Sequence, residues 1–238
     1  MSEDEPRHAF DTVILDLDGT LVDSVYQHVA AWRAAFLGVG VDVPGWRIHQ
    51  AIGIGGDRLV AEVAGASVET AVGNEVRAQH GERFQEQIHQ VTPTLGASEL
   101  LAALRGQGLK VVVASSGEEE VTEQLLSLVG ASEALHAWVS GSDVDESKPA
   151  PDLLDVALRK VSGSSALVVG DTIWDVEAAH QRSFPCLAVL TGGVSSAQLR
   201  QSGATEVFAA PGDIAEQLDR VLRFVTTGRA HQASGASI

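Results

Sequence analysis

Three things are scarce in this chain, and each scarcity excludes a class of protein. There is one cysteine, Cys186, so no internal disulfide can form and a disulfide scaffold is excluded. Cys186 lies in the apolar run 186–190, where a thiol serves as a small core hydrophobe rather than a reactive group. Cations are scarce: 16 Lys and Arg stand against 32 Asp and Glu, a net charge of -16. Such a chain is repelled by nucleic-acid backbones and by anionic membrane surfaces. Long apolar runs are absent, none reaching the about 18 residues of a membrane span. The start, Ser2-Glu3-Asp4-Glu5, is acidic and has no apolar stretch of a secretory signal. A soluble cytoplasmic protein is expected, a monomer or weak dimer, since no surface stripe is apolar enough to demand a partner.

What remains is ordinary globular material. The 238 residues are 45% hydrophobic and 20% charged, enough for one large domain or a core with a smaller companion. Continuous apolar runs occur at 12–15, 110–114, 137–139, 166–169 and 186–190. Unbroken Val/Leu/Ile runs are what parallel strands buried on both faces look like. Between them lie helical periods: Leu100, Leu101 and Leu104; Val121, Leu125 and Leu128 behind the acidic Glu118–Glu120; Leu154 and Leu158 after Pro151; and Ile214, Leu218, Val221 and Val225. This alternation predicts a doubly wound α/β fold with a parallel, Rossmann-like sheet. One connection is far too long for a simple crossover. Residues 24–92 carry helical stripes such as Val25, Val29, Trp32 and Phe36, and predict a helical subdomain inserted into a core of 1–23 and 93–238. The tail after Val225 is small and polar and is expected to fray.

In an open parallel sheet, ligands bind beyond the carboxyl ends of the strands. The first run is followed by Asp16-Leu17-Asp18-Gly19-Thr20. The second ends in Ser115-Ser116-Gly117. The third leads through a loop to Ser147-Lys148-Pro149, and the fourth to Gly170-Asp171 and on to Asp175. Phosphoryl transfer needs this set of groups. A carboxylate serves as covalent nucleophile, and Asp16, rigidly aimed by a buried strand, suits it. A second carboxyl group protonates the leaving oxygen and then activates water, and Asp18 reaches the same region. Gly19 permits the tight turn. Asp171 suits a hard cation such as Mg2+, and Ser115, Ser116 and Lys148 suit phosphate oxygens.

These residues resemble the haloacid-dehalogenase superfamily, in its phosphoglycolate phosphatase and β-phosphoglucomutase-like branch with a helical cap. The first motif matches Asp16 to Thr20, the second Ser115, the third Lys148-Pro149-Ala150-Pro151 and the fourth Gly170-Asp171 to Asp175. The resemblance spans nearly the whole chain. It implies Asp16 as nucleophile and Asp18 as general acid/base. Mg2+ would be held by the Asp16 side chain, the Asp18 main-chain oxygen and Asp171, with Asp175 as outer support. The segment 24–92 would be a cap over a small phosphorylated metabolite. A mutase acting on sugar phosphates is the alternative, and a non-catalytic phosphometabolite-binding module is a third reading.

Each residue also has a plainer reading. Asp18-Gly19 is a turn signal, Ser115-Ser116-Gly117 suits a helix N-cap, Asp175 suits a first helical turn, and Lys148 suits a solvated surface. Gly53-Ile54-Gly55-Gly56-Asp57-Arg58 lacks the context of a dinucleotide or P-loop site. It places Arg58 as a substrate contact or a solvated charge. His28 and Trp32, four residues apart on one helix face, are substrate contacts or internal packing.

Overall fold

The computed structural model describes residues 8–130, 134–144 and 148–235, with side chains up to residue 227. Ser147 and the acidic start at 2–5 lie outside the described residues. The elements run β1 (Thr12–Leu15), β2 (Val22–Asp23), α1 (Val25–Gly38), α2 (Gly45–Ala51), α3 (Gly56–Ala64), α4 (Ala66–Gln87), β3 (Thr92–Pro93), α5 (Ala97–Gly106), β4 (Lys110–Ala114), α6 (Glu119–Val129) and β5 (Ala137–Val139). They continue α7 (Asp152–Lys160), β6 (Ala166–Gly170), α8 (Ile173–Gln181), β7 (Cys186–Val189), α9 (Ser196–Gln201), β8 (Glu206–Phe208), α10 (Pro211–Glu216) and α11 (Leu218–Gly235).

Six strands form one parallel sheet in the order β5-β4-β1-β6-β7-β8. The chain builds outward from β1 to β4 and β5, then returns to the other side of β1 with β6. The strand order therefore reverses at β1, and a crevice opens beyond its carboxyl end. Alternate residues of each strand face opposite layers. Val13, Leu15, Val111, Val113, Leu167 and Val169 pack with residues of α5, α6, α10 and α11. Ile14, Val112, Val168 and Cys186 pack with residues of α7 and α8 on the other face. This is the doubly wound α/β architecture that the sequence predicts.

Helices α1 to α4 lie between β2 and β3, which pair antiparallel, so the chain leaves and re-enters the core at one point. The four helices share a separate apolar cluster that includes Val25, Trp32, Phe36, Ile48, Leu59 and Val76. Polar contacts hold them over the strand ends. His49 Nε2 lies 2.9 Å from the Gly192 carbonyl, Trp174 Nε1 donates to the Gln50 carbonyl at 3.3 Å, and Ser116 Oγ donates to the Gly53 carbonyl at 3.3 Å.

Several local expectations are corrected. Leu128 is exposed, and Leu126 and Val129 turn inward beside Leu125 instead. The stripe from Ile214 to Val225 is buried throughout, yet it spans two helices separated at Gln217. The last helix does not stop at Val225 but continues to Gly235. Most tail residues tolerate a helix, and a single glycine such as Gly228 costs only about 1 kcal/mol there. The edge strand β8 and the short β2–β3 pair have no expected counterpart, being too short to show a pattern. Phe36, fully buried at the centre of the helical cluster, is expected to cost about 3–5 kcal/mol on Phe36→Ala, measured by urea unfolding.

Candidate active site

The crevice beyond β1 holds the predicted carboxylates. Asp16 follows β1 directly, and its N–H donates to the Val169 carbonyl of β6 at 2.9 Å, so the sheet ladder itself aims the side chain. Asp171 follows β6, and Asp175 sits in the first turn of α8. Lys148 reaches in from the loop after β5. All four are buried: Asp16 is 6% exposed, Lys148 2%, Asp171 0% and Asp175 2%. The Lys148 ammonium pairs with Asp16 Oδ1 and lies 2.7 Å from Asp175 Oδ1. Lys148 is not a solvated surface lysine.

Buried charges are costly unless matched. Three carboxylates here face one ammonium, which leaves two negative charges uncompensated. Burial pushes Asp16 up to about 7, against the pull of Lys148 and with help from Asp175 and Asp18. Burial raises Asp171 well above the usual carboxylate range, reinforced by Asp16 and Asp175. Burial disfavours the charge on Lys148, but Asp16 and Asp175 outweigh it and keep the ammonium protonated.

The donor set fits a divalent cation. Asp16, Asp171 and Asp175 each offer a carboxylate oxygen within 4.8 Å of the others, and hard oxygen ligands suit Mg2+ or Ca2+. Their partners separate the roles. Asp171 Oδ1 accepts from Thr20 Oγ1 at 2.9 Å, but the buried Oδ2 has no hydrogen-bond partner. A buried carboxylate oxygen without a partner among the described residues calls for an explanation, and a cation bound there would supply one. Asp175 is already engaged on both oxygens: Oδ1 faces Lys148, and Oδ2 accepts from Thr172 N at 3.1 Å and Thr172 Oγ1 at 2.6 Å. Gly19 and Gly192 leave room for Asp171, since a Cβ at Gly192 would lie 1.7 Å from Asp171 Oδ2.

Asp18 occupies a different environment. Its Oδ1 accepts from Ser24 Oγ and lies 3.1 Å from His28 Nε2. Burial raises its carboxyl, but His28 and Ser24 more than offset that and hold it below the usual range. His28 Nδ1 in turn lies 3.0 Å from His80 Nε2 on α4. The His28 ring stacks on Phe84 at 3.8 Å, and Trp32 stacks on His80 at 3.9 Å. His28 and Trp32 pack internally and also line a cavity of about 290 Å³. Ser115 is buried, and its Oγ accepts the Gly117 N–H at 3.0 Å, which leaves its own proton free to donate. Ser116 lines the cavity. Arg58 lies exposed on α3 and is not among the lining residues, whereas Arg77 of α4 is.

Sequence reasoning missed Thr20, Thr172 and Gly192, which orient the carboxylates, and His80, Phe84 and Arg77 of α4. A signal existed for two of them: Gly73, Val76, His80 and Phe84 recur at the three- and four-residue spacing of a single helix face.

Comparison with known proteins agrees with this geometry. The family model described as haloacid dehalogenase-like hydrolase matches residues 10–181, and a second, HAD-hydrolase-like, matches 146–220. The chain belongs to the haloacid dehalogenase-like hydrolases. An N-acetylmuramic acid 6-phosphate phosphatase of Pseudomonas aeruginosa is 27% identical over 91% of this chain and 98% of its own. A phosphoglycolate phosphatase of Pseudomonas fluorescens is 30% identical over 76% of this chain and 69% of its own. The crystal structure of a hydrolase from Pseudomonas syringae superposes with a TM-score of 0.84 at 32% identity, covering 88% of this chain and 98% of that one. Among the described residues, no helix is long and apolar enough to cross a membrane.

Gly192→Ala places a methyl group where the orphaned Asp171 oxygen lies. The expected outcome is a folded protein whose divalent-cation affinity falls by about 10- to 100-fold, measured by calorimetry.

Proposed function

We propose that the protein is a magnesium-dependent phosphatase that cleaves a small phosphate monoester through an aspartyl-phosphate on Asp16. The observation that carries this reading is geometric: two carboxylates two residues apart at the end of β1 have different partners. Asp16 is buried against Lys148 at the end of β1, and Asp18 is held by His28 and Ser24. A strand-end carboxylate fixed by a buried ammonium suits the nucleophile, and a second carboxylate linked to an imidazole suits proton transfer.

Lys148 binds Oδ1 of Asp16, and no hydrogen bond among the described residues occupies Oδ2. That oxygen attacks phosphorus as the bond to the ester oxygen breaks. The leaving oxygen takes a proton carried by the Asp18–His28 pair. Asp18, returned to its carboxylate, then accepts a proton from water. The water oxygen attacks phosphorus, the acyl phosphate bond breaks, and inorganic phosphate leaves with Asp16 restored. The free proton of Ser115 and the ammonium of Lys148 meet the equatorial phosphate oxygens. The Asp16 and Asp171 side chains would hold Mg2+ with the main-chain oxygen of Asp18, while Asp175 fixes Lys148 from behind. When bound, the ion neutralises charge on the phosphate and on the approaching carboxylate. Helices α1 to α4, within 24–92, act as the cap that excludes water and contacts the organic part of the substrate through His28 and Trp32.

Phosphate release from sugar phosphates, phosphoglycolate and nucleotides tests the reading. Asp16→Asn is expected to lower turnover by at least about 10³-fold and Asp18→Asn by about 10²- to 10⁴-fold, and EDTA is expected to abolish release until Mg2+ is restored. Release that survives both EDTA and Asp16→Asn sinks the proposal. So does the absence of release from every ester.

A further inference from the structure

The cavity between α1, α4 and the start of α6 has an unusual charge balance for a site that receives a phosphate ester. Among the described residues, Arg77 is the only Lys or Arg that lines it, whereas Asp57 and Glu118 both do. Segments 131–133 and 145–147 contain no Lys or Arg. Both terminal nitrogens of Arg77 are also engaged. Its Nη1 donates to Glu69 Oε2 at 2.9 Å and to the Gly56 carbonyl at 3.1 Å, and its Nη2 donates to Glu69 Oε1 at 2.8 Å and Asn74 Oδ1 at 2.8 Å. A bidentate Arg–carboxylate pair of this kind does not readily give up its partner.

Sequence builds this clamp. Glu69, Gly73 and Arg77 are spaced by four along one face of α4. A Cβ at Gly73 would lie 2.6 Å from Glu69 Oε1, so only glycine there lets the carboxylate lie along the helix and reach a guanidinium eight residues on. The amino end of α6, facing the cavity through Gly117 and Glu118, is already balanced by Glu118, Glu119 and Glu120. Burial keeps His80 largely uncharged. Among the described residues, no Lys or Arg lining the cavity is without a carboxylate partner, and His28 is turned to Asp18. What the cavity offers is apolar wall from Trp32, Phe84 and Val121, with carboxylates and the Ser116 and Ser142 hydroxyls as partners for hydroxyl or ammonium groups.

We propose that this cavity selects phosphate esters whose organic part bears hydroxyl or amino groups and no second anion, and discriminates against phosphorylated carboxylic acids and bisphosphates. The proposal rests on the phosphatase reading for its turnover arm only. With Mg2+, kcat/KM for glucose 6-phosphate and glucosamine 6-phosphate is expected to exceed that for phosphoglycolate and fructose 1,6-bisphosphate by about tenfold or more, because a desolvated anion beside like charges is strongly disfavoured. Glu69→Ala, which releases Arg77, is expected to narrow the gap by at least about threefold by raising phosphoglycolate use, with the glucose 6-phosphate value within about twofold. Phosphoglycolate used as well as the hexose phosphates by the wild type overturns the proposal. So does an Arg77→Ala variant that loses phosphoglycolate use alone, since Arg77 would then be its ligand. Calorimetric binding of the same four esters to Asp16→Asn ranks them without turnover. Tighter binding of the hexose phosphates supports the selection even if hydrolysis is never observed, and tighter binding of phosphoglycolate refutes it.

Discussion

The buried ammonium of Lys148 is the constraint around which the rest is arranged. A lysine with 2% exposure survives only where carboxylates meet it, and Asp16 and Asp175 do so from two different elements. Those elements cannot shift independently without leaving a charge unpaired, a loss of several kcal/mol when one partner of a buried pair is removed. The loop after β5, the end of β1 and the first turn of α8 are therefore tied together. The capping interactions of Thr172 with Asp175 tie α8 to the same point. Asp171 is then placed by β6 with one oxygen satisfied and, among the described residues, one not, a cost that the proposed cation site would explain. Active sites commonly break the rule of full polar satisfaction in this way.

The core was legible because its physics is local and repetitive. Strands β1, β4, β6 and β7 are buried on both faces and, like the half-buried edge strand β5, each reads as an unbroken apolar run that delivers its polar residues to one edge. Asp16, Ser115, Lys148 and Asp171 needed only that rule to be brought together. Asp175 was legible as part of the cluster, but its partners were not: Lys148 and Thr172 use both of its oxygens. Strand β8 was missed because Glu206-Val207-Phe208 is a short edge strand with mixed character, and edge strands need not be apolar on both faces. The helical insertion was legible as helices but not as a surface. In α4, only Gly73, Val76 and Phe84 are buried, so the helix shows little amphipathic contrast. Its functional residues depend on which side meets α1, a tertiary fact. Arg58 and Arg77 are indistinguishable as sequence positions. Their separation comes from α3 turning Arg58 outward while Glu69 draws Arg77 along the cavity wall.

The cation shortage noted at the outset acquires a structural meaning at this point. Other bases in the core are committed to neighbouring carboxylates: Arg182 to Asp155, Lys160 to Asp143, Arg220 to Glu206 and Lys110 to Asp11. With Arg77 of the cavity wall likewise engaged, the positive charge facing the crevice comes down, among the described residues, to the Lys148 ammonium and whatever cation the carboxylates would hold. Both lie at the end of β1, where a phosphate group would sit, and none lies in the cavity beyond. A fold with net charge -16 can receive a dianionic phosphate only where that charge is matched at once. The same long-range repulsion then acts on any further anion the substrate carries. Concentrating the cations at one point thus separates two tasks that a more basic site would blur. In the proposed reading, the strand ends recognise the phosphate, and the helical insertion recognises whatever uncharged group is attached to it.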